Sequence, residues 1–140
     1  MWIARASFGV AVYPNYSQIF IVGGKINDSE ATKHCERYIV AANQWKRLPE
    51  MKEAKISVSL CFFNNGGTLY AFGGMTQTGT SQLQPTRSIE RLSKGQNQWQ
   101  LLDLKMPAQT FDMGVLQISN EDILVFGGFD GGAKKEAYKY

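Results

Sequence analysis

The chain has 140 residues, 44% of them hydrophobic, and a net charge of +3, which is enough apolar content for one domain with a real core. The basic excess lies in residues 1–70, with eight Lys or Arg against five Asp or Glu, while residues 71–140 balance at seven and seven. No basic block is interleaved with aromatics, so no nucleic-acid partner is expected; no apolar run reaches the roughly 18 residues of a membrane span and no charged-then-apolar leader opens the sequence, so no membrane is expected either.

In chain order, residues 7–13 (SFGVAVY) and 18–24 (QIFIVGG) read as two strands across the turn at residues 14–17, which suits a hairpin. Residues 33–40 (KHCERYIV) follow a polar loop, and residues 44–49 (QWKRLP) follow a turn at Ala42 and Asn43. The next four strands are residues 57–63 (SVSLCFF), 68–74 (TLYAFGG), 88–93 (SIERLS) and 98–104 (QWQLLDL), with turns at residues 64–67 and 94–97. A third glycine-ended strand, residues 124–128 (LVFGG), follows a turn at Glu121 and Asp122. No helical period of any length occurs.

The three glycine-ended strands bring their flanks into register. Met1, Met51 and Met106 each stand four residues ahead of Arg5, Lys55 and Thr110. Tyr38 precedes Trp45 by seven residues, Leu92 precedes Trp99 by seven, and the triplet NQW recurs letter for letter. Tyr138 reads as the third-copy counterpart of Tyr38. Self-similarity at this period marks a repeat, here of about two and a half units: residues 1–50, 51–105 and an incomplete 106–140. The second strand of each unit is apolar at consecutive positions (residues 19–22, 69–72 and 123–126), as a strand covered on both faces is. Four-stranded antiparallel units stacked face to face predict an all-β fold, part of a β-propeller. Adjacent glycines suit close backbone approach at strand ends. A phosphate-cradling loop would need a helix after the glycines, and none is predicted.

These residues resemble the kelch repeat: a strand ending in Gly-Gly, then a Tyr, then a Trp. The matching residues are Gly23, Gly24, Tyr38 and Trp45; Gly73, Gly74, Leu92 in place of Tyr, and Trp99; then Gly127, Gly128 and Tyr138. The resemblance implies kelch-type propeller blades and a protein-interaction module or assembly scaffold that grips a protein partner through loops. A complete ring of this family needs more than about 140 residues, at about 50 per blade. The remaining blades are therefore expected from the same protein, a second copy or other subunits. Family members are often attached to ubiquitin-ligase adaptors or cytoskeletal proteins, so a cytoskeletal association is a further expectation.

The loops implicated are residues 25–32, 75–88 and 129–135, with Gln82, Gln84, Arg87 and Phe129 as candidate contacts. Residues 75–88 show no strand-like alternation. Ser7, Ser57 and Asp112, each two residues beyond Arg5, Lys55 and Thr110, are expected to ring the mouth of a central channel. Family members that bind acidic peptides often carry Arg on this ring, so no acidic-peptide preference follows here. Trp45 and Trp99 read as blade packing.

Catalytic chemistry finds little support. His34 is the one histidine, and it adjoins Cys35 on a predicted strand, so the two point to opposite faces and cannot share a metal. No nucleophile-and-base arrangement has a supporting motif, so no enzyme, cofactor or metal is expected. The alternative reading is part of an enzymatic or sugar-binding kelch-like propeller of the oxidase or sialic-acid mutarotase type. Cys35 and Cys61 are expected as reduced, partly buried thiols of a cytoplasmic protein in preference to a disulfide.

Overall fold

Residues 1–77, 79 and 82–140 are described by a computed structural model. Every regular element among them is a β-strand. The first unit contributes β1 (Gly9–Val12), β2 (Gln18–Val22), β3 (Lys25–Asn27), β4 (Glu30–Ala31), β5 (Cys35–Ile39) and β6 (Gln44–Leu48). The second contributes β7 (Lys55–Ile56), β8 (Ser59–Phe63), β9 (Thr68–Phe72), β10 (Met75–Gln77), β11 (Leu83–Pro85), β12 (Ile89–Ser93) and β13 (Gln100–Leu101). The third contributes β14 (Gly114–Gln117), β15 (Ile123–Phe126) and β16 (Ala137–Lys139).

The blades are antiparallel meanders in the orders β1-β2-β5-β6, β8-β9-β12-β13 and β14-β15-β16. The all-β, antiparallel blades expected from the repeat are present, in the arrangement of a partial propeller. At one end of each blade, two short segments pair across its axis: Ala6 with Lys25, β7 with β10, and Phe111 with Phe129. Tight turns close the other end. That between β8 and β9 spans residues 64–67, where Gly67 N–H donates to the Asn64 carbonyl at 2.9 Å across left-handed Asn65 (φ 50°) and Gly66 (φ 84°), the conformation such a tight turn requires and Asn and Gly supply.

The middle blade shows why its second strand is apolar without interruption. Along β9, Leu69 and Ala71 enter a core shared with Phe20, Val22 and Cys35 of the first blade. Phe72, with Tyr70 at its margin, enters a core shared with Met113, Ile123 and Val125 of the third. Alternation along one strand thus feeds two cores, and no residue of it is left for water.

The paired glycines set the spacing between blades. Gly24 N–H donates to the Lys55 carbonyl at 2.8 Å, and Gly74 N–H to that of Thr110 at 3.0 Å. A Cβ on Gly23 (φ +65°) would lie 2.4 Å from the Lys55 carbonyl oxygen, and one on Gly73 (φ +55°) 2.4 Å from that of Thr110. Only glycine supplies both that left-handed backbone and that clearance. At Gly127 the nearest atom to such a Cβ is 3.7 Å away, because no further blade faces it.

Candidate functional site

Three backbone positions at the centre are held alike. Ser7 (φ 52°), Ser57 (φ 51°) and Asp112 (φ 54°) all adopt the left-handed conformation. They are linked from blade to blade, with Ser57 N–H donating to the Ser7 carbonyl at 2.7 Å and Asp112 N–H to that of Ser57 at 3.3 Å. All three line one concavity of about 590 Å³, together with Phe8, Ser59 and Val115. Hydroxyls and one carboxylate are what this rim offers.

The basic residues two positions earlier do not reach that concavity. Arg5 turns inward to form an ion pair with Glu36, its side chain fully enclosed. The same guanidinium donates to the carbonyls of Gly23 at 3.1 Å and His34 at 2.6 Å. In the second blade Lys55 Nζ lies 3.1 Å from Glu90 Oε1 and 3.3 Å from Glu53 Oε2. Both pairs are absent from the motif reading above. Their sequence signal is a basic residue four beyond Met1 and Met51, matched by Glu36 and Glu90 two residues ahead of Tyr38 and Leu92.

The segment 75–88 differs from the irregular loop expected. Its described part is a hairpin, with Met75 opposite Pro85, Thr76 opposite Gln84 and Gln77 opposite Leu83. β10 pairs on its other edge with β7, so the hairpin is the arm of a three-stranded sheet. It missed detection because its strands are short and polar, and pairing with β7 supplies the order that side-chain alternation does not. Gln77 Nε2 donates to the Ser29 carbonyl at 3.0 Å, tying this arm to the loop of the first blade. Gln82 and Gln84 are exposed.

Arg87 is also exposed, but its guanidinium is not free as the sequence suggested. Its Nε donates to the Met106 carbonyl, while Met106 N–H donates back to the Arg87 carbonyl at 2.9 Å. This side chain staples the hairpin base to the blade connection. In the third blade Phe129 packs edge-on against Phe111, ring centres 5.6 Å apart, and remains 42% exposed. Lys25, Met75 and Phe129 hold equivalent places, so each blade presents a different chemistry from a common backbone frame.

Two motif residues need correction. Trp99 is fully buried and its Nε1 donates to the Pro49 carbonyl at 2.9 Å, but Trp45 is only half-buried because no blade lies on its outer side. It rests on Tyr38, ring centres 5.1 Å apart. The third-copy counterpart of Tyr38 is Tyr140, not Tyr138. Tyr38 pairs with Ile19 of β2, and the equivalent Ile123 of β15 exchanges backbone hydrogen bonds with Tyr140. Tyr138, opposite Val125, instead takes the position of Glu36 and Glu90. The spacing misled because Tyr140 stands 12 residues beyond Gly128, two more than the assignment of Tyr138 implied and two fewer than separate Gly24 from Tyr38. Glycine-to-tyrosine distance is elastic in a repeat whose loops vary.

The two thiols are free and buried. Burial pushes Cys35 up to about 12 and raises Cys61 as well, so both are neutral and poorly nucleophilic near neutral pH. His34, just ahead of β5, holds its Nδ1 2.8 Å from Glu50 Oε1. Among the described residues no three His, Cys, Asp or Glu side chains cluster as a metal site would require. Nor is any helix among the described residues long and apolar enough to cross a membrane.

Comparison with known families agrees with this geometry. The kelch motif matches residues 4–52, from just before Arg5 to just past Met51, which encloses the whole first sheet. No curated protein matches the chain.

Proposed function

We propose that this kelch-repeat chain is a protein-interaction module that holds a protein partner against the end of the blades carrying the Gly-Gly pairs. The observation that carries the reading is the contrast between a fixed frame and variable tips. Ala6–Lys25, Ile56–Met75 and Phe111–Phe129 are the same backbone pairing made three times, yet the side chains they present range from cation to thioether to exposed aromatic. A frame of that kind holds recognition groups with little ordering cost on binding. The opposite end has only tight turns, which offer less to grip.

Within that surface Phe129 is the anchor, because aromatics carry a disproportionate share of interface energy. Gln82 and Gln84, on the arm of the second blade, supply amide donors and acceptors, and the serine and aspartate rim, Ser7, Ser57 and Asp112, forms the inner border. Arg87 contributes by bracing the hairpin. Two neutral, unpaired thiols fit a reducing, cytoplasmic setting. The test is the affinity of a partner recovered with the native chain, remeasured with Phe129→Ala. A loss of at least tenfold, about 1.4 kcal/mol, is expected, with the melting temperature unchanged. Undiminished affinity would remove Phe129 from the interface.

A further inference from the structure

Where the first and second blades meet, at the end away from the Gly-Gly pairs, lies a pocket of about 390 Å³. Its floor is apolar, made by Phe20, Phe62, Leu69 and Leu92, with the Phe20 and Phe62 rings edge to face at 4.9 Å. Its charged walls are Arg37 and Arg47 of the first blade and Lys94 of the second, and no carboxylate occurs among the described residues that line it. Both blades that enclose it carry all four strands.

The repeat sets this charge apart. Arg37, Arg91 and Lys139 hold one place, opposite Phe20, Tyr70 and Leu124, each three residues before the first glycine of its pair. In the second blade Arg91 Nε donates at 2.9 Å to Oε1 of Gln100, the residue opposite it on β13. In the third, Lys139 Nζ lies 3.4 Å from Oδ1 of Asp122, two residues before Leu124. Arg37 has neither kind of partner. Lys46 stands opposite it where Gln100 would be, and Gln18 stands two residues before Phe20 where Asp122 would be.

Arg37 Nη1 donates to the neutral Gln18 Oε1 at 3.1 Å, while its Nε is buried without an acceptor. A buried donor left unpaired costs free energy, and like charges directly opposite on neighbouring strands repel. Arg37, Lys46 and Lys94 make no ion pair among the described residues. Arg47 is engaged elsewhere, its guanidinium over the Trp2 ring at 5.1 Å from the centre. An anion in the pocket would offset the repulsion and bring acceptors to Arg37.

We infer that this pocket binds a small organic anion, a phosphate or carboxylate head carried on an apolar body of about one ring. The head meets Arg37 and Lys94, and the ring lies on Phe20 and Phe62. The volume falls within the roughly 300–1,000 Å³ of small-molecule sites, which typically join apolar walls to a few placed polar groups. Tight turns at residues 64–67 and 93–97 border the pocket, which favours a small ligand over a polypeptide. The site is separate from the loop surface that Phe129 occupies, and either can fail without the other.

Calorimetric titration of the 140-residue chain with phenyl phosphate is the test. Saturable binding is expected, at least tenfold tighter than with inorganic phosphate or phenol. Arg37→Gln should weaken it at least tenfold, and Lys94→Ala, at an exposed turn that the fold tolerates, should weaken it clearly. Lys46→Gln should weaken it too, by giving Arg37 the acceptor that Gln100 gives Arg91. Arg91→Gln should leave it unchanged. No saturable binding to a folded chain, or affinity that ignores both Arg37 and Lys94, would overturn the proposal. Inorganic phosphate binding as tightly as phenyl phosphate would overturn it as well, since the apolar floor would then have no part. A phosphotyrosine pentapeptide with alanine flanks should bind no more tightly than phenyl phosphate. At least tenfold tighter binding of that peptide would replace the small ligand with a polypeptide partner.

Discussion

Lys55 and Glu90 form an ion pair whose side chains are both fully enclosed, with 3.1 Å between Nζ and Oε1. The pair repeats Arg5 and Glu36 of the first blade. Each carboxylate also accepts backbone N–H groups from the blade connection: Lys52 donates to Glu90 at 2.7 Å and Trp2 to Glu36 at 2.7 Å. The pair therefore clamps the connection to the third strand of its own blade. The third blade replaces both partners together, with Thr110 and Tyr138 in their places.

Removing one partner should cost far more than removing both. Glu90→Ala leaves an enclosed ammonium with diminished compensation, and losses of about 3–5 kcal/mol are typical of such a change. The double variant Lys55→Met, Glu90→Leu should recover most of that loss. Urea denaturation of the two variants measures the difference, and equal losses would contradict the clamp.

The two motif tryptophans should separate in stability. Trp99→Ala empties a fully enclosed site and should cost about 3–5 kcal/mol, enough to unfold a marginal domain. Trp45→Ala, at a half-covered site, should cost clearly less. Melting curves of both variants decide the matter, and a larger loss at Trp45 would reverse the assignment of covered and uncovered blade faces.

Cys35 links pH to stability. Its ordinary value of 9.0 is raised to about 12 by burial. Below pH 9 the thiol holds its proton folded or unfolded, and its contribution is fully present. Between pH 9 and about 12 the unfolded chain loses the proton first, so stability should fall as pH rises across that window. Cys35→Ala should flatten this part of the curve. An unchanged slope would exclude the thiol as its source. At neutral pH Cys35 should also resist alkylation until the chain is denatured.

Much of the fold could be read from residues alone, for reasons the packing makes plain. The unbroken apolar run from Leu69 to Phe72 feeds two cores, and Gly23 and Gly73 stand where a neighbouring carbonyl leaves no room for Cβ. The motif signals and the physical requirement coincide there. Other features carried weaker signals. The hairpin arm between Met75 and Pro85 is ordered by pairing with β7, a contact its polar sequence does not announce. Arg87 looked free because nothing nearby in sequence signals the Met106 carbonyl it binds. Tyr138 reads as the counterpart of Tyr38 in place of Tyr140 because loop length varies while strand register does not.

Partner binding at the Gly-Gly end is the central claim. The direct measurement compares a recovered partner's affinity for three chains: the native one, one with residues 77–85 shortened to a tight turn, and one with both opposite hairpins altered at residues 15–18 and 65–68. Shortening the arm removes β11 but keeps Met75 and Thr76 paired with β7, so the blades should stay folded, and binding should weaken at least tenfold, about 1.4 kcal/mol. The opposite hairpins should be neutral. Full affinity in the shortened chain, with binding abolished by the opposite hairpins, would contradict the account.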